Sequence, residues 1–285
     1  MKERSKAGTP AVYEPFQSGY HHAGSAYTAM PLSGDCRLGK YVSEFFEVQR
    51  SRDDRVLHII PDGCNDLIIA FDGDRVLSHI SPSISEPYQF NFQRMEWIFG
   101  VRFLPGATYT FFRDILKYDS VKAVEAELVL SNIASIEAPL CESMSFAKRF
   151  EIVTAYLEGK VGDYDGTERL LNYCVNRILT SDGGVAVENL AQDTGYSSRY
   201  LRQLFTQYVG HSPKSLASII RVQKALRYLE EHPDEPLCQT ALQFGFSDQS
   251  HMNREFKRYL HLTSGAVKED QNWLLRLQTD STRSF

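Results

Sequence analysis

The stretch Ala191-x-x-x-Gly195-Tyr196-Ser197, followed by Leu201 and Phe205, returns fifty residues later as Ala241-x-x-x-Gly245-Phe246-Ser247, followed by Met252 and Phe256. The second copy holds one extra residue between its glycine and its last phenylalanine. Each position has a mechanical role. A small alanine lets two helices approach closely, and the glycine supplies the positive φ with which a chain leaves a helix in a tight turn. The next aromatic fills the corner, the serine hydroxyl caps the following helix, and the later apolar residues hold that helix on the core. The repeat therefore predicts helix, tight turn, helix, twice.

A helix starting near Ser198 carries Arg199, Arg202, Gln203 and Thr206 at i, i+3, i+4 and i+7, opposite Leu201, Leu204, Phe205 and Tyr208. In the second copy Ser250, Asn253, Arg254 and Lys257 repeat the spacing opposite Met252, Phe256 and Tyr259. These side chains suit duplex DNA: arginine matches guanine O6 and N7, asparagine and glutamine match adenine N6 and N7, and Lys257 and Arg258 suit phosphate. Between the copies, Gly210-His211-Ser212-Pro213 gives a helix-terminating glycine, a cap and a proline at the first position of a new helix running to about Glu231. Leu216, Ile219, Ala225, Leu226 and Leu229 on that helix are placed to pack against both units. About nineteen residues at ~1.5 Å each span ~28 Å, close to one turn of B-form DNA at ~34 Å.

The region before the repeat has another rhythm. Tyr41–Val48, Val56–Ile60, Asp66–Phe71 and Glu96–Phe103 are rich in aromatic and β-branched residues and are separated by Pro61-Asp62-Gly63, Asp72-Gly73 and Leu104-Pro105-Gly106. From Ala107 the period turns helical, and Phe146, Phe150, Val153 and Leu157 mark one face of a helix suited to linking domains or pairing subunits. Val161-Gly-Asp-Tyr-Asp-Gly166 breaks that pattern, and everything after it reads as helical. The expected class is α+β in two domains: a β-rich regulatory domain, cupin-like or a small barrel, over 1–140, a helical linker over 141–165, an all-α double helix-turn-helix domain over 166–270, and a tail over 271–285.

Composition bounds the function. With 42% hydrophobic and 24% charged residues, the 285-residue chain has a core to bury, which excludes a disordered or fibrous chain. The net charge of −5 is unevenly spread. Acidic residues dominate before Gly166 and the remainder is balanced, so a local basic face is left for phosphates. The apolar runs are too short to cross a bilayer and the start lacks a secretory stretch, so a soluble cytoplasmic protein with no membrane partner is expected. Five scattered cysteines without a C-x-x-C pair argue against a disulfide framework or zinc knuckle. No phosphate loop, nucleophile elbow or zinc-hydrolase motif occurs, so neither an enzyme nor a cofactor is expected.

The string Gly245-Phe246-Ser247-Asp248-Gln249-Ser250-His251 with Arg254-x-Phe256-Lys257-Arg258 resembles the signature of the AraC/XylS family of bacterial transcription regulators, and the likeness extends over about Gly166 to Gly265. The resemblance implies a monomeric unit reading an asymmetric site, with base contacts from Arg199, Arg202, Gln203, Gln249, Ser250, Asn253 and Arg254. It also implies double-stranded DNA and RNA polymerase as partners, and a small-molecule effector or homodimer formation through the N-terminal domain. His58 to Phe71 and Gly100 to Gly106 look like segments of a poorly characterised N-terminal domain attached to many such regulators. One departure stands out: His261-Leu262-Thr263-Ser264 replaces the usual glycine, variable residue, threonine or serine, and proline. A non-glycine at a left-handed position costs about 1 kcal/mol.

Other residues invite a second reading. A thiol at Cys64 would sense oxidants or alkylating agents if its pKa were lowered, making the chain a chemical sensor fused to a DNA reader; the neighbouring Asp62 and Asp66 would instead raise it. His58, Asp62, Asp66 and His79 suggest metal ligands, yet without a His-x-His pair and a following glutamate, turn and capping roles are expected and no metal. His21 and His22 carry no functional reading.

Overall fold

A computed structural model of the chain describes residues 13–17, 26–49, 56–91, 94–112, 123–141, 144–162, 165–270, 272–277 and 282–284; His21 and His22 lie outside them. Among the described residues nine strands, β1 Ala26–Pro31, β2 Val42–Gln49, β3 Val56–Ile59, β4 Asn65–Phe71, β5 Val76–Ser81, β6 Tyr88–Asn91, β7 Trp97–Phe103, β8 Val124–Glu125 and β9 Thr282–Ser284, form two sheets. The larger is antiparallel in the order β1-β2-β7-β4-β5-β8, and the smaller runs β3-β6-β9 with β9 parallel to β6. The helices follow the chain as α1 Thr108–Phe111, α2 Ala134–Leu140, α3 Phe146–Glu158, α4 Gly166–Thr180, α5 Val187–Thr194, α6 Ser198–Tyr208, α7 Pro213–Glu231, α8 Leu237–Gln243, α9 Gln249–Leu260 and α10 Ser264–Glu269. The α+β architecture expected from the sequence is thus present, and no helix among the described residues is long and apolar enough to cross a membrane.

The large sheet is buried on both sides because its strands alternate two apolar sets. Phe45, Leu67, Ile69, Phe99 and Val101 face the helices, whereas Phe46, Val48, Ala70 and Ile98 pack with Leu57, Ile59 and Tyr88 of the small sheet. The Phe46 ring lies so close to β7 that a Cβ at Gly100 would sit 2.0 Å from it, so the strand needs glycine there. The helix expected to link domains or pair subunits turns its apolar stripe onto the large sheet. Phe150 meets Phe45 edge-on at 4.8 Å, Phe146 tilts on Phe99 at 5.6 Å, and the buried Arg149 pairs with Glu47 at 2.7 Å. Its apolar stripe is spent on the adjacent sheet, which makes α3 part of the N-terminal core.

Two further cores belong to the helices, and α7 is a wall of both. Leu216, Ala217 and Ile220 join Leu171, Cys174, Ile178, Leu201 and Phe205 in one, while Ile219, Val222, Leu226 and Leu229 join Met252, Phe256, Leu260 and Trp273 in the other. Fully burying such a side chain is worth roughly 1.5–3 kcal/mol, so α7 is fixed by many such increments. The β-rich region reaches into both: Cys64, Leu104 and Tyr109 enter the first core and Ile60 the second. Gln223 of α7 clamps the junction, accepting from Phe16 N and donating to Pro61 O, both at 2.7 Å.

The last residues overturn the expectation of a tail and of helix throughout. Trp273, Leu274 and Leu277 are buried in the second helical core, Trp273 Nε1 donates to Glu230 at 2.9 Å, and β9 extends the small sheet. Burying an indole with its N–H satisfied gains more than leaving it in solvent, and the strand partner lies too far away in sequence for a local pattern to reveal it.

Candidate nucleic-acid interface

Both units follow the plan that the repeat predicts. Helices α5 and α8 are left through Gly195 and Gly245, each with a φ of 73°, the left-handed conformation glycine adopts without strain. In the first unit the Ser197 hydroxyl accepts from Tyr200 N and starts α6. In the second the cap moves by one residue. Asp248, not Ser247, accepts from His251 N at 2.7 Å, and the Ser247 hydroxyl donates to the Asp248 carboxylate. The extra residue of the second copy is accommodated here. The His251 N–H first, and Ser247 second, hold the Asp248 carboxyl below the usual range, and a carboxylate suits the positive end of a helix.

The apolar stripes are spent on the cores, with Leu201, Leu204 and Phe205 buried on α6 and Met252, Phe256, Tyr259 and Leu260 on α9. The opposite stripes stay in solvent: Arg199, Arg202 and Gln203 are exposed on α6, and Gln249, Ser250, Arg254, Lys257 and Arg258 on α9. Arg202 lies 3.6 Å from Glu188, with both side chains more than half exposed, a contact a phosphate would outcompete. Arg258 rests its guanidinium 5.2 Å above the Tyr259 ring. Asn253 differs from the rest. It is half-buried, and its Oδ1 accepts from Ser264 N at 3.0 Å and Ser264 Oγ at 2.8 Å, tying α9 to the start of α10.

The departing residue His261 adopts the left-handed conformation that glycine usually supplies, with a φ of 57° and its N–H on Lys257 O at 3.1 Å. Thr263 then caps α10 by accepting from Ala266 N. Two residues missed by the sequence reasoning stand at the corner of the first unit. Tyr196 and Tyr200 are 48% and 40% exposed and stack at 5.1 Å, whereas their counterparts Phe246 and His251 turn inward, Phe246 being 2% exposed. The signal was the hydroxyl that distinguishes Tyr196 from Phe246.

The residues weighed for other chemistry go elsewhere. Asp62 and Asp66 turn to Arg102, at 3.8 and 3.0 Å, while His58 belongs to the small sheet and His79 to the large one. Cys64 is buried, and burial, reinforced by Asp62, pushes its thiol well above the ordinary range.

Comparison with known proteins gives two family profiles. One described as "Helix-turn-helix domain" matches residues 190–270, and one described as "Domain of unknown function (DUF6597)" matches residues 35–117. The chain is 30% identical over 126 residues to the HTH-type transcriptional regulator MtrA of Neisseria gonorrhoeae, which covers 42% of each chain. It is 30% identical over 77 residues to the multiple antibiotic resistance protein MarA of Escherichia coli, covering 26% of this chain and 58% of that one. The match therefore spans about half the length of these relatives. Among solved structures, ToxT from Vibrio cholerae O395 aligns over 89% of this chain and 97% of its own at 13% identity, with a TM-score of 0.35.

Proposed function

We propose that the chain belongs to the AraC/XylS family of transcription regulators and that it binds a specific duplex DNA site by inserting α6 and α9 into successive major grooves. One observation carries this reading: two equivalent helices are packed on the single rod α7 and keep their polar stripes in solvent. Lys257 and Arg258 contact phosphates and set the register, and Arg199, Arg202, Gln203, Gln249, Ser250 and Arg254 read base edges. Asn253 reads a base through its Nδ2 while Ser264 holds its Oδ1. The nineteen residues of α7 support a spacing near one helical turn of the duplex.

The β-rich region modulates this binding through a small molecule or by pairing two copies; its support is the depth of its contact with both helical cores. RNA polymerase as a partner follows from the family alone. The chemical-sensor reading at Cys64 has burial and a raised thiol pKa against it, because the thiolate is the reactive form. The reading is tested by selecting bound sites from a random duplex pool and challenging the complex with specific and random competitors at several salt concentrations. Selective competition together with a Lys257→Ala variant that weakens all duplexes alike and lowers the salt slope by about 1 is expected. Equal competition by random duplex overturns it.

A further inference from the structure

A cleft of about 210 Å³ opens where the β-rich region meets α7, walled by Glu14, Phe16, Tyr27, Glu44, Arg102 and Arg227. At ~30 Å³ for each water-sized group, it has room for about seven non-hydrogen atoms. Its lining holds two carboxylates, Glu14 and Glu44, and two guanidiniums, Arg102 and Arg227, and the carboxylates behind Arg102 tip the balance. Arg102, 1% exposed in its side chain, is shared by Glu44 at 2.8 Å, Asp66 at 3.0 Å and Asp62 at 3.8 Å, so three carboxylates face one guanidinium. Arg227 is already paired with Glu14 at 3.3 Å. An anionic ligand would have to break one of these pairs and join an excess of negative charge, whereas a cation relieves that excess. The Phe16 ring already carries the Arg227 guanidinium 5.7 Å from its centroid, so this wall accommodates a positive charge. Burial pushes the Glu44 carboxyl up against the pull of Arg102, and Asp66 and Asp62 add to the rise.

We propose that this cleft binds a small organic ammonium ion, a primary amine on a short apolar body, with its nitrogen between Glu44 and Glu14. The consequence for DNA follows from the segment that carries Glu14. Residues 13–17 strap the two regions together: Tyr13 donates to Asp62 O, Gln17 donates to Ile60 O, Phe16 N donates to Gln223 and Arg227 Nη2 donates to Glu14 O. An ammonium that competes with Arg227 for Glu14 loosens the strap from α7, the rod that spaces the two reading helices. This regulatory half rests on the DNA-binding reading above; the binding half does not.

The test is calorimetry and thermal unfolding of the full chain with n-butylamine, 1,4-diaminobutane and cyclopentylamine, each against the carboxylate of matching shape. Amines are expected to bind and to raise the melting temperature, and the acids to do neither. Glu44→Gln is expected to weaken binding at least tenfold. Ala29→Trp, which fills the cleft from the exposed edge strand β1, abolishes it and leaves DNA affinity unchanged, so the proposal stays testable if Glu44→Gln does not fold. Failure of every amine, equal binding of the acids, or full binding by Ala29→Trp overturns the site. An amine that binds without shifting specific DNA affinity at least threefold overturns only the regulatory half, and a chain that retains amine but no specific DNA refutes the DNA reading and leaves the site standing.

Discussion

The first helix-turn-helix unit and the second share a plan yet differ in what each is fastened to. Around α6, Tyr208 meets Tyr109 edge-on at 4.7 Å, His211 lies 2.7 Å from Ser83 across the junction, and Cys64 and Leu104 complete the core. Around α9, the closing residues are mostly the chain's own end, Trp273, Leu274 and Leu277. The outward faces differ as well. The second helix ends in Lys257 and Arg258, where the first has Thr206 and Gln207. The first unit is thus the one joined more extensively to the β-rich region, and the second carries the more basic outward face.

The comparison breaks most decisively through the two matched phenylalanines. Phe205→Ala and Phe256→Ala each remove a fully buried ring and should cost about 3–5 kcal/mol, read by urea denaturation. Because α7 walls both cores, each variant should lower the stability of the whole helical region in a single transition; separate transitions for the two units would show them independent. Next comes pH. Burial lowers the His211 pKa to about 4, below the ~6.5 of an unfolded histidine, so the unfolded chain takes up a proton first as pH falls. Stability is therefore full above about 6.5 and is lost as pH drops from there towards about 4, by roughly 2–3 kcal/mol. His211→Gln should flatten that part of the stability profile relative to the parent, which isolates it from His58 and His79, whose pKa values burial also lowers.

A subtler contrast lies in the reading faces. Arg254 and Gln203 occupy matching places, two residues before Phe256 and Phe205. Arg254→Ala should cost roughly 1–3 kcal/mol of specific affinity and relax one base position, and Gln203→Ala should cost less. Equal affinity of the Arg254→Ala variant for a footprinted site would remove that assignment. The smallest effect concerns the ends of the two helices. Gly210 and His261 are equivalent, both left-handed, with φ of 81° and 57°. Replacing His261 by glycine should stabilise the second unit by up to about 1 kcal/mol, seen as a small rise in melting temperature, whereas Gly210→His should lower it.

What the sequence made legible was whatever repeats or caps locally. The turns at Gly195 and Gly245, the start of α6 and the span of α7 were readable because a glycine, a serine and a proline each act within a few residues of themselves. The cap of α9 was read one residue early, since Ser247 fits the repeat while the inserted residue makes Asp248 the better acceptor. The packing of α3 on the sheet, the return of β9 to β6 and the bridge from Gln223 to Phe16 were not legible. Each joins distant parts of the chain, and an apolar stripe does not name its partner. The half-burial of Asn253 escaped for the same reason: its spacing is that of a surface residue, and only the position of Ser264 draws its amide aside.

A rod shared by two cores leaves its bearer little freedom in one respect. Inserting a single residue into Pro213–Glu231 would rotate everything beyond it by about 100° and advance it by ~1.5 Å, turning one polar edge away from the side that the other faces. Each polar edge is free to change one side chain at a time, but the gap between the two edges is written in the length of a single helix.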